Sequence, residues 1–83
     1  MGVSMRNFRL HPSQVIAGEM EFLKMNVLQL AGALDVEPLT VDLLLAGKAA
    51  VTPDMAFRLA QAIGSTPEQW LRLQTAYDAA VQV

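Results

Sequence analysis

The stretch NVLQLAGALDVEPLTVDLLLAG, residues 26–47, decides the fold of this chain. It predicts two short helices joined by a tight turn. Asn26 can cap the first helix, because its side-chain oxygen accepts a free N–H of the first turn. Apolar residues then recur at spacings of 3, 1 and 3, which place one stripe along a helical face: Val27, Leu30, Ala31 and Leu34.

The turn and the second helix carry their own signals. Asp35 can adopt the left-handed conformation at modest cost, as Asp and Asn do more readily than most residues. Pro38 suits the first position of a helix, where the missing N–H is no loss. We expect this helix to run to about Ala46 and to stop at Gly47, a common residue after a helix end. The stretch therefore predicts a helix-turn-helix, in which the second helix normally reads DNA.

The outward face of the second helix lacks the usual DNA-reading chemistry. At about 100° per residue, the stripe expected to face the core consists of Val41, Leu44 and Leu45. Leu39 and Leu43 fall opposite that stripe, with Asp42 and Thr40 on its flanks. DNA reading needs Arg, Lys, Asn, Gln, Ser or Thr to meet base edges and phosphates. The fold signal and the surface chemistry therefore disagree.

Length and composition limit the class of protein. The chain has 83 residues, of which 53% are hydrophobic and 17% charged, as in one small folded domain. It has no cysteine and a single histidine, His11, so neither a disulfide nor a metal centre is expected. No apolar run approaches the roughly 20 residues that span a bilayer, and the N-terminus has no signal-peptide core. We expect a cytoplasmic protein without a cofactor or a membrane partner.

The charge balance argues against strong nonspecific DNA binding. The net charge is −2 and the pI about 5.1, whereas DNA binders usually present a basic face to the phosphates. The basic residues do not cluster along the chain: Arg6, Arg9, Lys24, Lys48, Arg58 and Arg72. A dimer could still align Arg6, Arg9 and Lys48 along one surface.

Residues 1–10 are predicted to form an N-terminal arm before a domain at residues 11–83. Arg6 and Arg9 alternate with Phe8 and Leu10. Two interpretations stay open: the arm docks through its apolar residues and leaves the arginines free, or it is a frayed terminus.

A helix is predicted to begin after His11. Ile16, Met20 and Leu23 recur at steps of 4 and 3 and should face the core. His11 is interpreted as a local cap or packing residue rather than a ligand or a base, because no Cys, Ser or Asp accompanies it in a catalytic pattern.

Two Thr-Pro pairs predict the last two helices. Thr52 should cap the fourth helix, whose buried stripe ends before Gly64 and consists of Ala56, Leu59, Ala60 and Ile63. Thr66 should cap the fifth helix, with Gln69 completing a capping box. Along that helix Trp70, Leu73 and Tyr77 should form one face, which is interpreted as core or dimer surface rather than a ligand cage.

Five helices with short connections predict a compact all-α domain. No phosphate loop, carboxylate pair or nucleophile–base pattern is present, so no catalytic residue and no enzyme is expected.

The chain resembles the HigA antitoxin family, within the lambda-repressor-like (XRE) helix-turn-helix group. The resemblance covers roughly residues 10–80. It is carried by the opening His11-Pro12, by Leu30-Ala31 with Leu34 and Val36, by Leu45 with Gly47-Lys48, and most specifically by VTPDMAFRLAQAIGSTPEQWLRLQTAYD, residues 51–78. It implies a five-helix, lambda-repressor-like domain, a homodimer, a cognate toxin that is usually an mRNA-cleaving ribonuclease, and operator DNA as a partner.

Departures from the family pattern fall on the DNA-reading positions. Where this chain has Val27, the family usually has Gln. In the turn, the family usually has Gly in place of Asp35 and Ser or Thr in place of Glu37. After the second helix, it usually has Asn-Gly-Lys-Arg where residues 46–49 of this chain read AGKA. It usually has polar or basic side chains at four further positions: Pro38, Leu39, Asp42 and Leu43.

Two functions follow. The first is an antitoxin-like transcriptional regulator, whose candidate DNA contacts are Thr40, Lys48, Asn26, Arg6 and Arg9. The second is a protein-interaction module that has lost sequence-specific DNA binding, whose candidate partner surface consists of Leu39, Leu43, Trp70 and Tyr77.

Overall fold

Four of the five helices begin at a proline, as the sequence predicts. The computed structural model describes residues 11–81, and its helices are α1 (Pro12–Leu23), α2 (Val27–Leu34), α3 (Pro38–Leu45), α4 (Pro53–Ile63) and α5 (Pro67–Val81). Every element in residues 11–81 is helical, which confirms the all-α class. The predicted arm and the last two residues lie outside the described residues.

Side-chain caps fix the starts of α1 and α2. Asn26 Oδ1 accepts the Gln29 N–H at 2.8 Å, and Gln29 Oε1 accepts the Asn26 N–H at 2.8 Å. At α1, His11 Nδ1 accepts the Ser13 N–H at 2.9 Å while Gln14 Oε1 accepts the His11 N–H at 2.8 Å. Both helices therefore open with a reciprocal pair of bonds that satisfies free N–H groups. The caps predicted at Asn26 and His11 are confirmed.

The cap predicted at Thr52 is confirmed, whereas the capping box predicted at Thr66 and Gln69 is only partly present. Thr52 Oγ1 accepts the Met55 N–H at 3.2 Å, and Thr66 Oγ1 accepts the Gln69 N–H at 3.1 Å. Gln69 Oε1, however, accepts a bond from Arg72 Nη1 at 3.3 Å. Its side chain turns along α5 rather than back to the cap, so the predicted capping box is half formed.

Left-handed residues end the helices that flank the turns. Asp35 has φ 61°, which confirms its predicted conformation, and Gly47 after α3 has φ 74°. In both turns a following N–H reaches back five residues: Val36 N–H to Ala31 O at 3.0 Å, and Lys48 N–H to Leu43 O at 2.9 Å. These bonds satisfy carbonyls that a helix end leaves free.

One apolar core joins all five helices. Its buried residues are Ile16, Met20, Leu30, Ala31, Leu34, Val41, Leu44, Val51, Met55, Ala56, Leu59, Ile63 and Trp70. α2 packs on α3 and α4, α4 on α5, and α1 on α3 and α5. The predicted stripes of α2, α3 and α4 are confirmed. Leu23 is 43% exposed, so its predicted burial is wrong. Leu23 is the last residue of α1, and Met25, which follows the left-handed Lys24, packs against the core instead.

Gln74 is a buried polar residue that the sequence patterns did not single out. Its Oε1 accepts the Val51 N–H at 2.9 Å, and its Nε2 donates to Asp78 Oδ1 at 2.9 Å. Val51 is also buried, and it lies in the connector between α3 and α4. The bond therefore ties α5 to the segment that follows the helix-turn-helix.

Replacing Gln74 with Leu should lower the free energy of unfolding by about 1–3 kcal/mol, because the buried Val51 N–H loses its acceptor. Urea unfolding followed by circular dichroism measures the change. The same substitution at Gln61, which is exposed on α4, should change stability by no more than about 0.5 kcal/mol. Equal effects of the two substitutions would contradict a structural role for the Gln74 bond.

The helix-turn-helix as a candidate DNA interface

The second helix of the motif has one buried face and one exposed apolar face. On α3, Val41 is 0% and Leu44 2% exposed, whereas Leu39 is 65% and Leu43 39% exposed. This division confirms the orientation predicted from the helical spacing. The α3 outer surface, which we define as Leu39, Asp42 and Leu43, is therefore the solvent-exposed side of α3.

Arg58 holds the turn of the motif against α4. Its Nη1 donates to the carbonyl oxygens of Leu34 at 2.8 Å and Asp35 at 3.2 Å, and its Nε pairs with Asp54 Oδ2 at 2.8 Å. A guanidinium at the C-terminal end of α2 satisfies carbonyls and opposes the negative end of the helix dipole. Sequence reasoning did not assign Arg58, although its i, i+4 spacing from Asp54 was a signal for a helix ion pair.

His11 joins the start of α1 to the end of α3 and to α5. A Cβ placed on Gly47 would lie 3.6 Å from His11 Cε1, so the ring lies against that backbone. The other contact is edge-to-face with Tyr77, with ring centroids 4.5 Å apart at 79°. These contacts confirm His11 as a cap and packing residue.

The motif is acidic. Residues 26–47 contain three acids, Asp35, Glu37 and Asp42, and no Lys or Arg, which gives a charge of −3. Within residues 11–81 the only ion pair is Arg58–Asp54, so none of these three acids pairs with a base there. Lys48, exposed three residues after α3, is the nearest base along the chain.

Two open pockets lie away from the α3 outer surface. The larger, of about 460 Å³, is lined by α1, α5 and the end of α4, including Glu19, Ile63 and Trp70. The smaller, of about 290 Å³, lies between α2 and α4 near Phe57 and Arg58.

In the described part of the chain, no group of three His, Asp or Glu residues could hold a metal ion. No helix described in residues 11–81 is long and apolar enough to cross a membrane.

Known proteins share this arrangement along most of the chain. A HigA-family addiction module antidote protein from Coxiella burnetii is 43% identical, with a TM-score of 0.84 over 88% of this chain and 80% of that one. The chain belongs to the HigA family. The HTH-type transcriptional regulator YddM of Escherichia coli is 41% identical over 83% of this chain and 73% of its own. No protein-family model matches the sequence.

A DNA complex exists among the solved relatives. The Pseudomonas aeruginosa antitoxin HigA, determined with the higBA promoter, is 26% identical and has a TM-score of 0.84 over 90% of this chain and 83% of that chain. This HigA-family chain is thus a helix-turn-helix protein of the antitoxin and transcriptional-regulator type. Its backbone keeps the architecture of these relatives, with Asp35 in the left-handed conformation at the turn.

The predicted DNA contacts of this HigA-family chain fall at three places. Thr40 is half-buried in the first turn of α3, and Lys48 is exposed beyond its last turn. Asn26 is exposed, but its side-chain oxygen is already bonded to the Gln29 N–H. Arg6 and Arg9 lie outside the described residues.

The predicted partner surface is divided by the fold. Leu39 and Leu43 are exposed together on α3. Trp70 is only 2% exposed and donates its Nε1–H to Gly64 O at 3.0 Å. It is a core residue, so its assignment to a partner surface is wrong. Tyr77 is half-buried against His11, away from the two leucines in the sequence and on a different helix.

Proposed function

We propose that this HigA-family protein binds the operator of its own operon and represses it as a dimer, and that it neutralises a cognate toxin. The observation that carries the DNA-binding part is the motif itself: α2, the turn and α3 keep the helix-turn-helix geometry of a relative determined with promoter DNA. In such motifs the second helix enters the major groove while the first crosses the backbone.

Thr40 and Lys48 are the proposed contacts in residues 11–81, with Arg6 and Arg9 adding charge. Lys48 would approach a phosphate, and the Thr40 hydroxyl a phosphate or a base edge. The three acids of the motif oppose the phosphates, so binding should be modest and easily lost with salt. A dimer would double the few contacts and match two half-sites about one helical turn apart.

Operator binding is tested by fluorescence anisotropy on the DNA upstream of the gene, beside a scrambled duplex, at low and physiological salt. The expected result is saturable binding that prefers the upstream DNA. The Thr40→Ala, Lys48→Ala double variant should bind at least about tenfold more weakly, since a single hydrogen bond that involves a charge is worth about 1.5–3 kcal/mol. The salt slope of the dimer should fall by about 2, one for the Lys48 of each protomer.

A matched control is Thr75→Ala with Lys24→Ala, which removes one hydroxyl and one charge at exposed positions outside α3. This control should bind the operator as the parent does. Parent-like affinity of the Thr40, Lys48 variant would overturn the assignment of these contacts. Light scattering of the purified protein tests the dimer, and co-purification with the product of the adjacent gene tests the toxin.

The second candidate function is a protein-interaction module built on the helix-turn-helix scaffold. The exposure of Leu39 and Leu43 where the fold normally meets DNA favours it, because an apolar pair at that place suits a protein partner better than phosphates. Absence of selective DNA binding at both salt concentrations would favour this function over the first.

A further inference from the structure

The α3 outer surface combines exposed apolar area with acidic charge. Leu39 and Leu43 lie one turn apart on it, 65% and 39% exposed, and Asp42 lies beside them. Glu37, at the start of α3, is also exposed and has no basic partner within residues 11–81. An occupant that suits this surface must supply apolar side chains and positive charge together.

One segment of this chain has that composition. Residues 6–10 read RNFRL, so Arg6 and Arg9 alternate with Phe8 and Leu10. Residues 11–81 contain four bases and eight acids, a charge of −4, while residues 1–10 contain two bases and no acid. Opposite charges at short range attract, and the aromatic ring of Phe8 would cover leucine surface that otherwise faces water.

The residue that follows this segment lies next to the C-terminal end of α3. This residue, His11, has its ring against Gly47, just past the end of α3. At 1.5 Å per residue along a helix, Leu43 and Leu39 lie roughly 6 and 12 Å from Gly47. An extended chain covers about 3.3 Å per residue, so Phe8 and Arg6 can reach about 10 and 17 Å from His11. The segment is therefore long enough to reach both leucines of its own molecule.

We propose that residues 6–10 bind the α3 outer surface of the same molecule, with Phe8 and Leu10 on the leucines and the two arginines near Asp42 and Glu37. This goes beyond the proposed function, because it names what occupies the DNA-facing surface in the free protein. Operator DNA and the segment would compete for α3. DNA binding would then release Arg6 and Arg9 to the phosphates.

The absence of cysteine from the chain allows a clean test by paramagnetic broadening. A nitroxide is attached to Ser4→Cys in the full chain, without DNA, and the intensities of the amide signals in ¹⁵N spectra are compared before and after reduction of the label. We expect the signals of residues 39–43 to lose more than half of their intensity. In the same spin-labelled protein, the further substitution Asp42→Lys should restore most of the signal intensity of residues 39–43. The matched charge change Glu21→Lys, at an exposed site on α1, should not restore it.

Each alternative outcome is distinct. Unbroadened signals at residues 39–43, or broadening that Asp42→Lys leaves unchanged, would overturn the proposal. In a mixed sample, one protein carries ¹⁵N but no nitroxide, and the other carries the nitroxide but no ¹⁵N. Broadening of the ¹⁵N signals in that sample would assign the segment to a second copy and overturn binding within one molecule. Because no DNA is present, a failure of operator binding in the anisotropy experiment leaves this result intact, and the two proposals can fail separately.

Discussion

Trp70→Ala is expected to lower the free energy of unfolding by about 3–5 kcal/mol, as truncation of a buried Trp to Ala typically does. Trp70 is 2% exposed, and its Nε1–H donates to Gly64 O, which joins the start of α5 to the end of α4. A chain of 83 residues has roughly 4–12 kcal/mol of total stability at the usual value per residue. The variant should therefore unfold at much lower urea concentration, or be partly unfolded in its absence.

Two further substitutions separate the parts of this effect. Trp70→Phe keeps most of the apolar volume and loses the bond to Gly64, so it should retain more stability than the alanine variant. Thr75→Ala, on the exposed side of the same helix, should stay within about 0.5 kcal/mol of the parent. Circular dichroism is the readout, because Trp70 is the only tryptophan and its fluorescence is lost. Parent-like stability of Trp70→Ala would mean that the residue lies outside the core.

Val41→Asp should destabilise the domain by about 3–5 kcal/mol, because a buried carboxylate without a partner keeps its full desolvation penalty. Val41 is 0% exposed and is one of the residues by which α3 packs into the core. The loss of this packing contact should detach α3 from the core and abolish any function that depends on α3. Urea unfolding and the signal dispersion in ¹⁵N spectra measure the two consequences.

Asp42→Lys is the matched control at the next position. Its side chain is exposed on the α3 outer surface, so the stability change should be within about 0.5 kcal/mol. The variant also removes one of the three acids of the motif, and it should therefore bind DNA more tightly than the parent at low salt. Similar destabilisation by Val41→Asp and Asp42→Lys would contradict the division of α3 into a buried and an exposed face.

The local elements of the helix-turn-helix could be predicted because their causes lie within a few residues. Asn26 caps α2 through a bond to Gln29, three residues away, and Asp35 adopts the left-handed conformation at the end of the same helix. The spacing of Val41 and Leu44 gave the buried side of α3, and hence the exposure of Leu39 and Leu43. These features follow from local backbone geometry and from the helical spacing of apolar residues, both of which depend on residues close together in the sequence.

Contacts between distant residues were decided only by the tertiary structure. Gln74 bonds to Val51 across 23 positions, and Arg58 bonds to Leu34 across 24. Trp70 is buried as part of the core, although its helical spacing left both a core position and a dimer surface open. Leu23 has the right spacing for burial but is 43% exposed, while Met25 beyond the end of α1 packs against the core. Periodicity fixes the direction in which a side chain points, whereas its burial depends on whether another helix lies there.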